Sequence, residues 1–166
     1  MPAPAGNILV VCTANVCRSP MAAKLLTHAL AAESPPLPSL RVVSAGLSAA
    51  RGQPATENSI SALKKVSLDL SGHSSQLLTQ AMLDEALVVF CMTESHRAMI
   101  ELNYEPVPKH LYLFRQFMDQ AQDPEIPDPY GLSYTHYEAC RDSMVEAIPS
   151  LVRFLRELVA PSDRPA

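Results

Sequence analysis

The sequence predicts an α/β fold: a parallel sheet of four strands, covered by helices on both faces, in a single domain of 166 residues. Two observations carry this. Short apolar runs alternate with segments of helical periodicity along the whole chain. The runs are apolar throughout rather than at every second position, as in strands buried on both faces. No internal repeat and no shift in composition marks a second domain, and the length suits one real core.

The elements follow in order. Asn7 to Cys12 reads as a buried strand. Pro20 to Ala32 reads as a helix, with Pro20 at a favoured first-turn position after Ser19. Ser34-Pro35-Pro36-Leu37-Pro38-Ser39 is a loop. Leu40 to Ala45 is a second strand, stopped by Gly46. Thr56 caps a helix running to Val66. Leu83 to Met92 ends in a strong strand, Ala86 to Cys91, and Glu94 to Leu102 follows as a short helix. His110 to Phe114 is the fourth strand. Tyr134 to Leu158 has helical spacing, with a kink or break expected near Pro149. The core spans about 7–158, and 1–6 and 160–166 read as flexible ends.

Composition excludes several classes. Apolar content of 48% with 18% charge describes a soluble globular chain, not a disordered one. A net charge of −4 argues against general nucleic-acid binding. No apolar run approaches the ~20 residues that span a bilayer, so no membrane association is expected. Nothing at the N-terminus resembles a secretory leader, so a cytoplasmic location is expected. The four cysteines form no Cys-x-x-Cys and have no histidine pair at zinc spacing, so reduced thiols and no metal are expected.

The most informative stretch is Val10-Val11-Cys12-Thr13-Ala14-Asn15-Val16-Cys17-Arg18-Ser19-Pro20. A strand delivers a thiol into a short loop that closes at a helix N-terminus. Backbone N–H groups of such a loop converge on an anion, and the helix dipole adds positive potential. The same field favours the thiolate form of Cys12, the nucleophile. Arg18 can grip two phosphate oxygens with its planar fork. The chemistry implied is attack of a cysteine thiolate on a phosphate ester. The plain alternative is a core cysteine ending a strand beside a surface arginine.

Such a reaction needs an acid for the leaving oxygen. Asp128 lies between two prolines in Asp123-Pro124-Glu125-Ile126-Pro127-Asp128-Pro129-Tyr130-Gly131. A stiff turn presenting a carboxyl beside an aromatic suits that role; the alternative is a turn-forming Asp-Pro pair. Asp123 reads as a loop acid. His28, His110 and His136 lie where exposure or ordinary packing is expected, and His96 reads as a cap or surface residue.

Together these residues resemble the low-molecular-weight protein tyrosine phosphatase family. Cys-x-x-x-x-x-Arg-Ser near the N-terminus and Asp-Pro-Tyr near residue 130 match its motif in order and spacing. Ser44-Ala45-Gly46, Asp69-Leu70-Ser71-Gly72-His73 and Met92-Thr93-Glu94-Ser95-His96 also look like its bacterial members. The resemblance implies a flavodoxin-like three-layer α/β/α fold with a four-stranded parallel sheet. It implies Cys12 as nucleophile through a phosphocysteine intermediate, with Arg18 and the N–H groups from Thr13 to Arg18, by way of Ala14, Asn15, Val16 and Cys17, as the phosphate-binding loop. Asp128 would serve as acid and then base. Ser19 would donate to the thiolate, and Asn15 would hold the loop, braced by Ser44 and His73. Ser19 also suits a helix N-cap, and Ser44 and His73 also suit plain loop positions. No cofactor is implied. The expected partner is a phosphorylated protein or peptide, with inorganic phosphate as product and the protein acting as a monomer.

Several positions depart from the family, divide it or bear on its chemistry. Ala14 stands where the family usually has Gly; a positive φ there would cost on the order of 1 kcal/mol. Val16 lines the pocket mouth, where tyrosine-directed members carry Ile or Leu and arginine-directed ones Thr. Its missing hydroxyl favours an aryl phosphate. Thr13, and Tyr130 followed by Gly131, look more like the arginine-directed branch, which leaves a protein-arginine phosphatase as the alternative. Cys17 suggests, by resemblance, a protective disulfide with Cys12; the alternative is a small packing residue. An arsenate reductase and a non-catalytic phosphoprotein-binding module are the lesser rivals. The first needs further redox cysteines, and Cys91 and Cys140 are scattered along the chain.

Overall fold

A computed structural model describes residues 6–119 and 122–161. Its four strands are β1 (Asn7–Cys12), β2 (Val42–Gly46), β3 (Ala86–Cys91) and β4 (Leu111–Leu113). All pair in parallel, in the order β2-β1-β3-β4. The helices are α1 (Arg18–Ala31), α2 (Glu57–Lys64), α3 (Gln80–Glu85), α4 (Glu94–Asn103) and α5 (Tyr134–Val159).

The pleat of β1 explains the three layers. Ile8, Val10 and Cys12 enter one core with Met21, Leu26, Phe90, Met144 and Leu151, which joins α1, α2 and α5 to the sheet. Leu9 and Val11 enter the other, with Leu78, Leu83, Val89 and Ile100 from the side of α3 and α4. Phe90 sits edge-on to Phe114 and Phe154 at 6.1 and 6.2 Å, and Phe154 stacks on Phe117 at 4.1 Å. Burying each such side chain is worth about 1.5–3 kcal/mol. The chain moves from β1 to β2 on one side and then to β3 on the other. Beyond the carboxyl end of β1 this reversal opens the crevice in which α/β sheets bind ligands, and Cys12 stands there.

Several element boundaries differ from expectation. Helix α1 starts at Arg18 rather than Pro20, with Cys17 as N-cap and no side-chain cap. Pro20 therefore lies within the first turn, where its missing N–H is harmless. The N-cap reading of Ser19 is thereby corrected. Strand β2 begins at Val42 rather than Leu40, and β4 covers only Leu111–Leu113. A 3-10 turn occupies Leu37–Ser39 inside the expected loop. Helix α3 was not expected; Thr79 caps it by accepting from Met82 N–H at 3.2 Å, and six residues carry too little periodicity to read. Thr56 caps α2 as expected. Helix α5 runs through Pro149 unbroken. Tyr137, Cys140, Met144, Ala147, Leu151 and Leu155 form one buried stripe on both sides of the proline, and that burial outweighs the ~3 kcal/mol cost of a helical proline.

The expected flexible ends fall outside the described residues, apart from Gly6, Ala160 and Pro161. Among the described residues no helix is long and apolar enough to cross a membrane.

Candidate active site

The seven residues Cys12 to Arg18 make a tight loop from β1 to α1. Its left-handed residue is Asn15, at φ 57°, not Ala14. Asparagine tolerates that region far better than most side chains. The strain anticipated at Ala14 is therefore absent, which corrects that expectation.

Asn15 is fully buried and is the hub of the loop. Its Nδ2 donates to Ser19 Oγ at 2.7 Å and Ser44 Oγ at 2.9 Å. Its Oδ1 accepts from Gln76 N–H at 3.0 Å, and its carbonyl accepts from His73 Nε2–H at 2.7 Å. Burial lowers the pKa of His73, opposed in part by that hydrogen bond. Ser44 and His73 thus brace the loop. Gly46, at the end of β2, admits the loop by close approach: a Cβ there would lie 2.6 Å from the Thr13 carbonyl oxygen and 2.9 Å from Asn15 N. The sequence hinted at this glycine only as a strand stop.

Cys12 is 3% exposed, and its Sγ lies 3.0 Å from Ser19 Oγ and 3.3 Å from the Asn15 N–H that points at it. Asn15 already donates to the serine oxygen, so the single Ser19 proton is shared between two acceptors, the Cys12 sulfur at 3.0 Å and the more distant Ala45 carbonyl at 3.5 Å. The Met21 N–H to Cys17 carbonyl contact, at 3.4 Å, is the first intrahelical bond of α1. The N–H groups of Arg18 and Ser19 precede it and have no acceptor within the helix.

Arg18 is buried and ties two loops together. Its Nη1 donates to the Ile126 carbonyl at 3.0 Å, and its Nη2 stands 3.5 Å from Asp128 Oδ2. Asp128 is half exposed, and its Oδ1 accepts from Tyr130 N–H at 3.1 Å. Cys12, Thr13, Val16, Arg18, Asp128 and Tyr130 all line one cavity of about 560 Å³. Tyr130 is 66% exposed at its rim. The structure thus brings together the expected residues from Cys12 to Ser19 with Ser44, His73, Asp128 and Tyr130.

The loop carrying Asp128 is pinned at several points. Ile126 N–H donates to the Met92 carbonyl at 2.9 Å. The Glu125 carboxylate accepts from Glu94 N–H at 2.8 Å, at the start of α4. Arg115, buried, donates from Nε to the Asp123 carbonyl at 2.8 Å and from Nη1 to the Ser143 carbonyl, with Glu146 at 3.3 Å. Asp123 is a loop acid that accepts from Glu125 N–H. Sequence reasoning passed over Arg115 and Glu125, whose partners lie far away in the chain. It also misplaced His96, which is buried against Thr13 rather than on the surface.

All four cysteines are free thiols. Cys17 Sγ lies 3.6 Å from both Thr56 Oγ1 and Tyr137 OH, and burial pushes its pKa up. Burial also pushes Cys91 and Cys140 up to about 12. Among the described residues no group of three or more His, Cys, Asp or Glu side chains could hold a metal ion.

Comparison with known proteins agrees with this geometry. The sequence profile of the family described as "Low molecular weight phosphotyrosine protein phosphatase" matches residues 7–160. The chain is 36% identical to the protein-arginine-phosphatase of Geobacillus stearothermophilus, over 90% of this chain and 96% of that protein. It is 33% identical to the low molecular weight protein-tyrosine-phosphatase Etp of Escherichia coli K12, over 80% of this chain and 82% of that protein. The crystal structure of the Erwinia amylovora tyrosine phosphatase AmsI superposes with a TM-score of 0.78 at 30% identity, covering 93% of this chain and 95% of that one. The chain belongs to the low-molecular-weight phosphotyrosine protein phosphatase family.

Proposed function

We propose that this protein hydrolyses phosphotyrosine in proteins through a phosphocysteine on Cys12. The observation that carries the reading is one cavity lined by Cys12, Arg18 and Asp128 together, with the buried Arg18 guanidinium 3.5 Å from the Asp128 carboxylate. The Cys12 thiolate attacks phosphorus; an S–P bond forms as the P–O bond to the aryl group breaks. Asp128 gives its proton to the departing oxygen. The loop N–H groups and Arg18 hold the equatorial oxygens as charge shifts onto them. Asp128, now a carboxylate, takes a proton from water. That oxygen bonds phosphorus, the S–P bond breaks, inorganic phosphate leaves, and the thiolate returns. No metal or cofactor takes part.

Val16 supports the aryl substrate, since its apolar branch stands at the pocket wall where a hydroxyl would aid a polar group. A second reading, protein-arginine phosphatase, is favoured by the 36%-identical Geobacillus relative and by Thr13 and Gly131. Turnover of a phosphotyrosine peptide against a phosphoarginine peptide, with Cys12→Ser as control, separates the two. Preference for phosphotyrosine upholds the proposal, and preference for phosphoarginine replaces it with the second reading. No turnover of either would favour a binding module. An arsenate reductase is disfavoured, since Cys91 and Cys140 are held protonated by burial.

The proposal extends to a single catalytic domain acting as a monomer in the cytoplasm. It includes a reversible Cys12–Cys17 disulfide formed by peroxide, in which two thiols yield one disulfide and two waters. Peroxide inactivation that dithiothreitol cannot reverse would remove that element.

A further inference from the structure

One buried side chain behind the pocket wall, in contact with Thr13, has no part in the scheme above. His96 is 4% exposed, with Nε2 2.9 Å from Thr13 Oγ1 and Nδ1 buried without a hydrogen-bond partner. Its ring is not a helix cap. The cap of α4 is Thr93, which accepts from the His96 backbone N–H at 3.3 Å.

A neutral imidazole has one donor and one acceptor nitrogen. A bare buried N–H is rarer and more costly than a bare acceptor. The partners therefore assign the proton to Nε2, and Nε2–H donates to Thr13 Oγ1. Burial first, and the Arg18 guanidinium second, hold the ring neutral with a pKa of about 4; Asp128 pulls the other way and does not offset them. Thr13 itself is exposed on the cavity wall, and its backbone is fixed by the Ser48 N–H bond to its carbonyl at 2.9 Å. With one lone pair taken by His96, the Thr13 hydroxyl cannot donate to the ring. Its proton is left for the cavity.

We infer that His96 is a positioning residue that holds the Thr13 hydroxyl as a hydrogen-bond donor to an oxygen of the bound phosphorylated substrate. This rests on the phosphatase reading.

The test is a double-mutant cycle on the purified full chain, with a phosphotyrosine peptide as substrate. The variants are Thr13→Val, His96→Leu, the pair together, and His96→Gln, which keeps an amide N–H donor. Expected is a fall in kcat/KM of about fivefold to tenfold for each single substitution, the size of one hydrogen bond. The double variant should be no worse than either single, and His96→Gln should recover most of the loss. A purely structural histidine would instead lower activity by the same factor in the Thr13→Val background, and such additivity overturns the inference. Should His96→Leu fail to fold, Thr13→Val alone decides: an unchanged kcat/KM overturns the inference. Absence of turnover by the wild-type protein would instead overturn the phosphatase reading.

Discussion

Gly46→Ala adds a single methyl group at the point where β2 meets the phosphate loop. The new Cβ would lie 2.6 Å from the Thr13 carbonyl oxygen, 2.9 Å from Asn15 N and 2.9 Å from Ala49 Cβ. Ordinary contact begins at 3.4 Å, so the loop backbone must retreat by about 0.8 Å. The obstructing atoms belong mainly to the backbone, so no side chain can swing aside. The retreat strains the bonds that fix Asn15, at 2.7 to 3.0 Å. Overpacking of this kind lowers stability by about 1–3 kcal/mol. A displacement near 1 Å in a catalytic loop lowers rate by about a hundredfold. The assay is kcat for a phosphotyrosine peptide, with the inhibition constant of inorganic phosphate and the thermal midpoint measured alongside. A drop in kcat between tenfold and a hundredfold, with weaker phosphate inhibition, is expected. Activity and phosphate inhibition within twofold of wild type would refute the close-approach reasoning.

Other perturbations probe the remaining parts. Asp128→Ala should lower kcat/KM for substrates with poor leaving groups by about 10²- to 10⁴-fold and barely lower it for those with good ones; an equal fall in kcat/KM for both would make Asp128 structural. Arg115→Met leaves the Asp123 and Ser143 carbonyls without their donor, so a loss on the order of 2 kcal/mol in urea denaturation is expected. The same variant should show a steeper leaving-group dependence, because the loop that aims Asp128 loosens; an unaltered dependence would confine Arg115 to stability. Acid should destabilise the fold through His96. Its folded pKa, about 4, lies below the ordinary 6.5, so the unfolded chain binds the extra proton as pH falls from 6.5 towards 4. Stability then drops by up to about 1.4 kcal/mol per pH unit in that window and levels off below it. His96→Gln should flatten this slope, as read by denaturation at stepped pH, and an identical slope in that variant would assign the acid sensitivity elsewhere.

Local chemistry was the most legible part of this chain. The strand ending on Cys12, the Cys-to-Arg18 spacing and the Pro-flanked Asp128 announce themselves within a dozen residues each, and the structure brings them into one cavity. Strand interiors were equally plain, because β1 and β3 are unbroken apolar runs. What escaped depends on partners distant in sequence. His96 meets Thr13 across 83 residues, and Arg115 reaches Ser143 across 28. Neither carries a local signal. Ala14 drew attention by its identity, yet the backbone places the left-handed turn one residue later, on Asn15. Pro149 was read by its local cost, while the apolar stripe on both sides of it carries α5 through.

The covalent step at Cys12 is the centre of the account. Rapid mixing of the Asp128→Ala variant with an aryl phosphate that has a good leaving group, acid quench and mass analysis of the Cys12 peptide tests it directly, since the intermediate then forms without the acid while loss of the base slows its hydrolysis. The account predicts that this peptide gains the mass of one phosphoryl group during turnover, and that Cys12→Ser shows no turnover. A Cys12 peptide that stays unmodified while phosphate is released would contradict it.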